Sequence, residues 1–299
     1  MCRHSWGKPR LAATSLVADP IGEDGVMSQD AASQPAPSSS DLVQVVRHDS
    51  GVVELVLNRP EAMNAVSTAM AKALTDAAMS VASDDTARAV VVSSSHPKAF
   101  CVGADLKERN ALSDDELRAQ RPGNRTAYRS VLDLPVPAIA AVDGYALGGG
   151  CEIALSCDLI VASPTATFAL PEVSVGVIPG GGGTQLLTRR VGWSRAADLI
   201  FTARRVGGEE ALGLGVVDRV VDDPRATALE LATQIAAHSP VGVRNAKAAM
   251  RGGMDATLAQ GLDIEDARWH ATAFSADRAE GVAAFAEKRT PSWPGLSGR

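Results

Sequence analysis

The stretch DGYALGGGCEIALSCDLIVAS, residues 143–163, decides how the chain is read. It joins a glycine triplet, Gly148-Gly149-Gly150, to a carboxylate, Glu152, and ends in the apolar run LIVA. Consecutive glycines let a backbone approach a ligand closely and aim N–H groups at it. The residues after the triplet predict a helix, with Glu152 in its first turn. A second carboxylate, Glu172, follows in LPE at 170–172. Oriented backbone donors beside two carboxylates are equipment for acid–base chemistry next to a carbonyl.

Outward from this stretch the pattern alternates strands and helices. LVQVVRH (42–48) and VVELVLN (52–58) flank Asp49-Ser50-Gly51, a hairpin signal. Ser67 is placed to cap a helix running to about Ala82. ARAVVVSS (87–94), PAIAAVDG (137–144), DLIVAS (158–163) and VVDRVV (216–221) predict further strands. Ser113 precedes three acidic residues, as at the start of a helix over 113–133. Helical pieces are expected near 181–190 and 194–202, and almost continuously beyond 224, with Pro240 as a break. GADLK (103–107) reads as a strand-to-helix turn. Strand-rich units early and helices late imply a layered α/β fold. The organisation expected is a disordered extension at 1–40, a core at 41–238 and a helical C-terminal region at 239–299. The extension contains SQDAASQPAPSSS, a composition that cannot build a core.

Composition narrows the function. The formal charge is −6 over 299 residues, which disfavours nucleic acid or an anionic membrane as the main partner. The four cysteines have no zinc-ribbon spacing, and a reduced, cytoplasmic protein is expected. The five histidines fit no metal spacing, so no metal is expected. GGGGTQ (180–185) lacks the Lys-Ser/Thr pair of a phosphate loop, and 143–150 lacks dinucleotide-binding spacing. No redox cofactor is expected.

Six segments together resemble the enoyl-CoA hydratase/isomerase (crotonase) family. They are LNRPEAMNAVS (57–67), KAFCVGADLKE (98–108), the stretch at 143–163, FALPEVSVGVIPGGGGTQLL (168–187), ARRVGGEEALGLGVVDRVV (203–221) and EGVAAFAEKR (280–289). The resemblance implies a spiral of β-β-α units with a helical C-terminal trimerisation region, assembled as a trimer or a dimer of trimers. The implied ligand is a CoA thioester, with CoA as part of the substrate rather than a cofactor. By that resemblance the N–H groups of Ala104 and Gly149 form an oxyanion hole. Glu152 then activates water, and Glu172 protonates Cα. Lys98, Ala104, Asp105, Leu106, Lys107, Gly149 and Lys288 would contact the substrate, with Lys288 reaching CoA on a neighbouring subunit. The reaction implied is reversible hydration of a 2-enoyl-CoA to a 3-hydroxyacyl-CoA, in fatty-acid or branched-chain acyl-CoA breakdown. The alternatives are another reaction of the family, such as double-bond isomerisation, or the hydration of methylglutaconyl-CoA. RNA binding is a remote alternative, because the helix at 68–80 carries Lys72 alone.

Overall fold

The computed structural model describes residues 42–298, so the expectation for 1–40 lies outside the described residues. Among the described residues ten strands form two sheets. The first sheet contains β1 (Val43–Arg47), β2 (Val52–Leu57), β3 (Ala89–Ser94), β5 (Ala138–Val142), β7 (Leu159–Ala162) and β10 (Arg219–Val220), in that order. Within this sheet, among the described residues, only the β1–β2 hairpin is antiparallel. The second sheet contains β4 (Ala99–Cys101), β6 (Tyr145–Leu147), β8 (Thr167–Ala169) and β9 (Val206–Gly207). Each long strand β3, β5 and β7 is followed by a short strand in the other sheet, and helices follow each pair. This is the repeating β-β-α unit expected from the resemblance.

The long strands β3, β5 and β7 are mostly apolar because both of their faces are covered, and β3 turns polar only at its end, Ser93-Ser94. Side chains alternate between faces with period two. Val90, Val92, Ala138, Ala140 and Ile160 therefore join the main core, with Phe100 and Phe168 from the second sheet. Val91, Ile139 and Val161 point the other way, against Ala228, Leu231 and Ala232.

Helix α1 (Thr68–Ala82) starts where predicted, with the Ser67 hydroxyl accepting from the Met70 N–H. α2 spans Leu106–Ala111, and α3 (Asp114–Leu132) opens with a capping box between Ser113 and Glu116. α4 is Gly149–Ser156, α5 Gly183–Val191 and α6 Trp193–Thr202. α7 (Gly208–Leu214) precedes β10, and α8 (Pro224–Ala236) covers the first sheet. The strand expected over 216–221 is confined to Arg219–Val220, which extend only the end of β7.

The last helices are α9 (Pro240–Gly253), α10 (Leu258–Ala273) and α11 (Ala276–Glu287). Pro240 stands at the first position of α9, where its missing N–H costs nothing. Polar contacts tie α9 to the core. Lys247 and Arg251 both reach Asp158, at 2.7 and 2.9 Å. Buried Asp277 accepts from Ser239, Val241 and Gly295 and so gathers the C-terminal pieces. Phe274 and Phe285 nevertheless stay 83% and 88% exposed, and Trp269 and Val282 are also exposed. No described helix is long and apolar enough to cross a membrane.

Candidate active site

Ala104 lies in the turn between β4 and α2, bridged to Val66 as in a parallel sheet. Val66 donates to the Gly103 carbonyl, and its own carbonyl accepts from Asp105. Both bonds use the neighbours of Ala104, so the N–H of Ala104 itself is directed away from Val66. Arg59 fixes the turn, holding Asp105 at 2.7 Å and the Ala65 carbonyl at 2.9 Å. The Asp105 carboxylate also caps α2 by accepting from Lys107 and Glu108. Its role is to hold the turn that presents Ala104.

Gly149 opens α4, and the first N–H groups of a helix have no partner within it. Gly103 and Gly148 bring the two donors together. Gly103 has φ +92°, and a Cβ there would lie 2.7 Å from the Leu147 carbonyl and 3.1 Å from the Gly149 nitrogen. Gly148 has φ +50°, and a Cβ there would lie 2.9 Å from Glu172 Oε1. The glycine-rich sequence is thus what lets strand β6, helix α4 and the second carboxylate meet at one point.

Glu152 is buried, at 3% exposure, on the first turn of α4. Its Oε1 accepts from the Gly181 and Gly183 N–H groups at 2.6 and 2.8 Å. Burial raises its pKa, while those backbone donors and Arg121 pull the other way. Glu172 begins a 3-10 turn, Glu172–Val175, directly after Pro171. Its Oε2 is buried without a partner. Burial pushes the Glu172 carboxyl up to about 7, with repulsion from Glu152 adding and a backbone N–H and Arg109 opposing. The two carboxyls are therefore neighbours, and both are raised.

Tyr128, on α3, lies between these groups. A Cβ on Gly149 would lie 2.3 Å from its hydroxyl, and one on Gly181 would lie 2.6 Å from its ring. Burial raises the Tyr128 pKa, and the charge of Glu152 raises it further. Arg121, also on α3, donates to the Gly180 carbonyl at 2.7 Å. These residues, with Gly181, Gly183 and Arg109, were not singled out from the sequence. The glycine run at 180–183, at the start of the helical piece expected near 181–190, is the one local signal, and nothing in it points to Glu152.

The remaining expected residues lie outside this cluster. Lys98 precedes β4 and Lys107 lies on α2, both exposed and flanking the Ala104 turn. Leu106 is exposed beside them. Lys288 caps the end of α11 in the left-handed conformation, also exposed. Among the described residues no group of three or more His, Cys, Asp or Glu is arranged to hold a metal ion.

The chain matches the family model described as enoyl-CoA hydratase/isomerase over residues 47–296. It is 42% identical over 249 residues to "Probable enoyl-CoA hydratase 2, mitochondrial" of Arabidopsis thaliana, covering 83% of each protein. It is 41% identical over 260 residues to the mitochondrial methylglutaconyl-CoA hydratase of Mus musculus, covering 84% of this chain and 83% of that one. Among solved structures, the enoyl-CoA hydratase of Bacillus anthracis superposes with a TM-score of 0.82 at 38% identity. That match covers 84% of this chain and 98% of the other.

Proposed function

This chain belongs to the enoyl-CoA hydratase/isomerase family, and on that footing we propose that it adds water reversibly across the 2,3 double bond of an acyl-CoA. The observation that carries the proposal is the pairing of Glu152 with Glu172 beside the Ala104 and Gly149 N–H groups. The thioester oxygen sits between the two N–H groups, which stabilise the negative charge that develops there as Cβ is attacked. One such preorganised donor contributes roughly 3–4 kcal/mol to the transition state. Glu152, oriented by Gly181 and Gly183, takes a proton from water while the water oxygen bonds to Cβ. Glu172 gives a proton to Cα. With its pKa near 7, Glu172 exchanges protons readily at neutral pH. The 3-hydroxyacyl-CoA leaves, and the proton gained by Glu152 replaces the one lost by Glu172.

The test is incubation of crotonyl-CoA with the purified protein in ¹⁸O-labelled water. The expected product is 3-hydroxybutyryl-CoA carrying one labelled oxygen. A product with a shifted double bond and no label would contradict hydration.

The same reading extends to assembly and surroundings. The exposed Trp269, Phe274, Val282 and Phe285 support a trimer or hexamer built through α10 and α11, because such faces need a partner. Lys98, Lys107 and Lys288 are proposed partners for CoA phosphates. The free thiols of Cys101, Cys151 and Cys157 are in keeping with a reducing compartment such as the cytoplasm.

A further inference from the structure

Asn64 lies in the loop at 59–66 and is fully buried. Its φ is +57°, in the left-handed region that Asn adopts more readily than most residues. Each of its hydrogen-bonding groups is engaged. The side-chain Oδ1 accepts from the Arg59 N–H at 2.7 Å. Nδ2 donates to Ser94 Oγ at 2.8 Å and to the Phe100 carbonyl at 3.0 Å. The backbone N–H donates to the Arg59 carbonyl at 3.0 Å, and the backbone carbonyl accepts from the Cys101 thiol at 3.0 Å. One residue therefore ties the loop to itself, to the end of β3 and to β4.

β4 runs into the turn that presents Ala104, and the loop follows it step by step. The Met63 carbonyl accepts from the Val102 N–H at 3.2 Å, and Val66 exchanges bonds with Gly103 and Asp105 at 2.7 and 3.1 Å. Arg59, whose N–H the Asn64 carboxamide holds, grips Asp105 through its guanidinium. Ala104 is thus clamped on both sides by a loop whose internal shape depends on Asn64. Burial alone would not aim the turn, because the hydrophobic effect is non-directional. Hydrogen bonds do set direction. Among the described residues, no hydrogen-bond partner of Asn64 lies in 143–183, the stretch that supplies Gly149, Glu152 and Glu172. Asn64 therefore bears on one oxyanion donor and leaves the other donor and both carboxyls in place.

We propose that Asn64 is a positioning residue for the oxyanion hole, fixing through the loop at 59–66 where the Ala104 N–H points. This rests on the hydratase reading and adds to it a residue that touches neither thioester nor water. A carboxamide suits the place because it donates and accepts at once. Glycine tolerates the same backbone conformation but has no side chain, so Asn64→Gly removes the clamp without straining the turn.

The test reads the carbonyl stretch of bound butyryl-CoA, ¹³C-labelled at the thioester carbon, by difference infrared spectroscopy. Butyryl-CoA has no double bond to hydrate, so this readout needs no turnover. In the native enzyme the stretch should fall in frequency on binding, as two N–H groups draw charge onto the oxygen. Asn64→Gly should lose about half of that downshift, since one of two donors is displaced. Its kcat for crotonyl-CoA should fall by about tenfold to a hundredfold, with KM changed by less than about twofold. Ser94→Ala removes one acceptor of the same carboxamide and should give a smaller loss of downshift; it decides the matter if Asn64→Gly does not fold. A residue that only stabilised the fold would lower the melting temperature and leave the downshift of the folded protein unchanged. An unchanged downshift in the folded variants, a native kcat in folded Asn64→Gly, or no downshift in the native enzyme overturns the proposal. A native enzyme that shifts the butyryl-CoA carbonyl but does not hydrate crotonyl-CoA overturns the hydratase reading instead, and the variants' downshift still decides the role of Asn64.

Discussion

The two glutamates of the site have opposite surroundings. Glu152 sits on a helix and is held by two backbone N–H groups from the glycine loop at 180–183. Glu172 sits on a 3-10 turn, with one buried oxygen bound to nothing. Backbone donors favour the charged form of a carboxyl, while isolation and burial favour the neutral one. Chemically similar side chains are thereby set up for different tasks. Glu152 is oriented and biased toward accepting a proton, and Glu172 toward carrying one. Because they are close, they titrate as a pair rather than as two independent acids.

The severest way to break this contrast is to remove either carboxyl. Glu152→Gln and Glu172→Gln should each lower kcat for enoyl-CoA hydration by at least about 10²-fold, the scale of general acid–base catalysis. The double variant should lose less than the product of the two single losses, as expected of groups that act as a unit in one reaction. Steady-state kinetics on all three variants checks both statements.

A second variant disturbs only the anchored member. A Cβ on Gly181 would lie 2.6 Å from the Tyr128 ring and 2.7 Å from Glu152 Oε2. Gly181→Ala must therefore shift the loop that orients Glu152. A loss of about tenfold in kcat, equal to about 1.4 kcal/mol, is expected, with little change in melting temperature. Loss of fold rather than rate would show that the loop serves packing instead.

Glu54 supplies the contrast from outside the site. It is fully buried on β2, yet it accepts from Arg225 at 2.6 and 2.7 Å and from Ser93 at 2.6 Å. Burial alone would raise its pKa, but these partners outweigh burial and hold it below the ordinary value. A carboxyl with a depressed folded pKa contributes stability above its unfolded pKa, near 4.5, which is lost as pH falls through the folded value. Arg225→Ala should cost about 2 kcal/mol at pH 7, less than a fully buried pair because Arg225 is itself half exposed. Much of that cost should vanish in acid, once Glu54 is protonated in both states. Denaturant unfolding at pH 7 and at a pH well below 4.5, beneath the depressed folded value, measures the difference.

What was legible in the sequence follows from the same physics. Strands β3, β5 and β7 announced themselves because a sheet covered on both faces needs largely apolar runs, and β2 by the turn signal before it. Ser67 and Ser113 marked helix starts by their own chemistry. The second sheet was not legible. AFC, YAL and TFA are three-residue strands, too short for any period to show. At the site, the glycines and both glutamates stood out in motifs. The grip of Gly181 and Gly183 on Glu152 spans 29 and 31 residues, and no local pattern carries a contact of that kind. Tyr128 was hidden for the same reason, being an ordinary helical residue until the fold brings it against Gly149 and Gly181.

The smallest expected effect is far from the pair. Lys288→Ala should raise KM for acyl-CoA by a factor equivalent to about 1 kcal/mol or less and leave kcat nearly unchanged. A remote phosphate contact is equal in ground and transition states. The effect should shrink with added salt. N-acetylcysteamine thioesters, which lack the CoA phosphates, should be indifferent to the change, and an equal loss on them would make Lys288 a structural residue.

The central claim is that Glu172 carries the transferable proton, and the pH dependence of hydration tests it most directly. With a pKa of about 7, Glu172 is protonated below that value and ionised above it. In the free enzyme kcat/KM for hydration should fall as pH rises through about 7. In Glu172→Gln the residual activity should lose that descending limb. A variant that keeps both the limb and the native rate would contradict the assignment of Glu172.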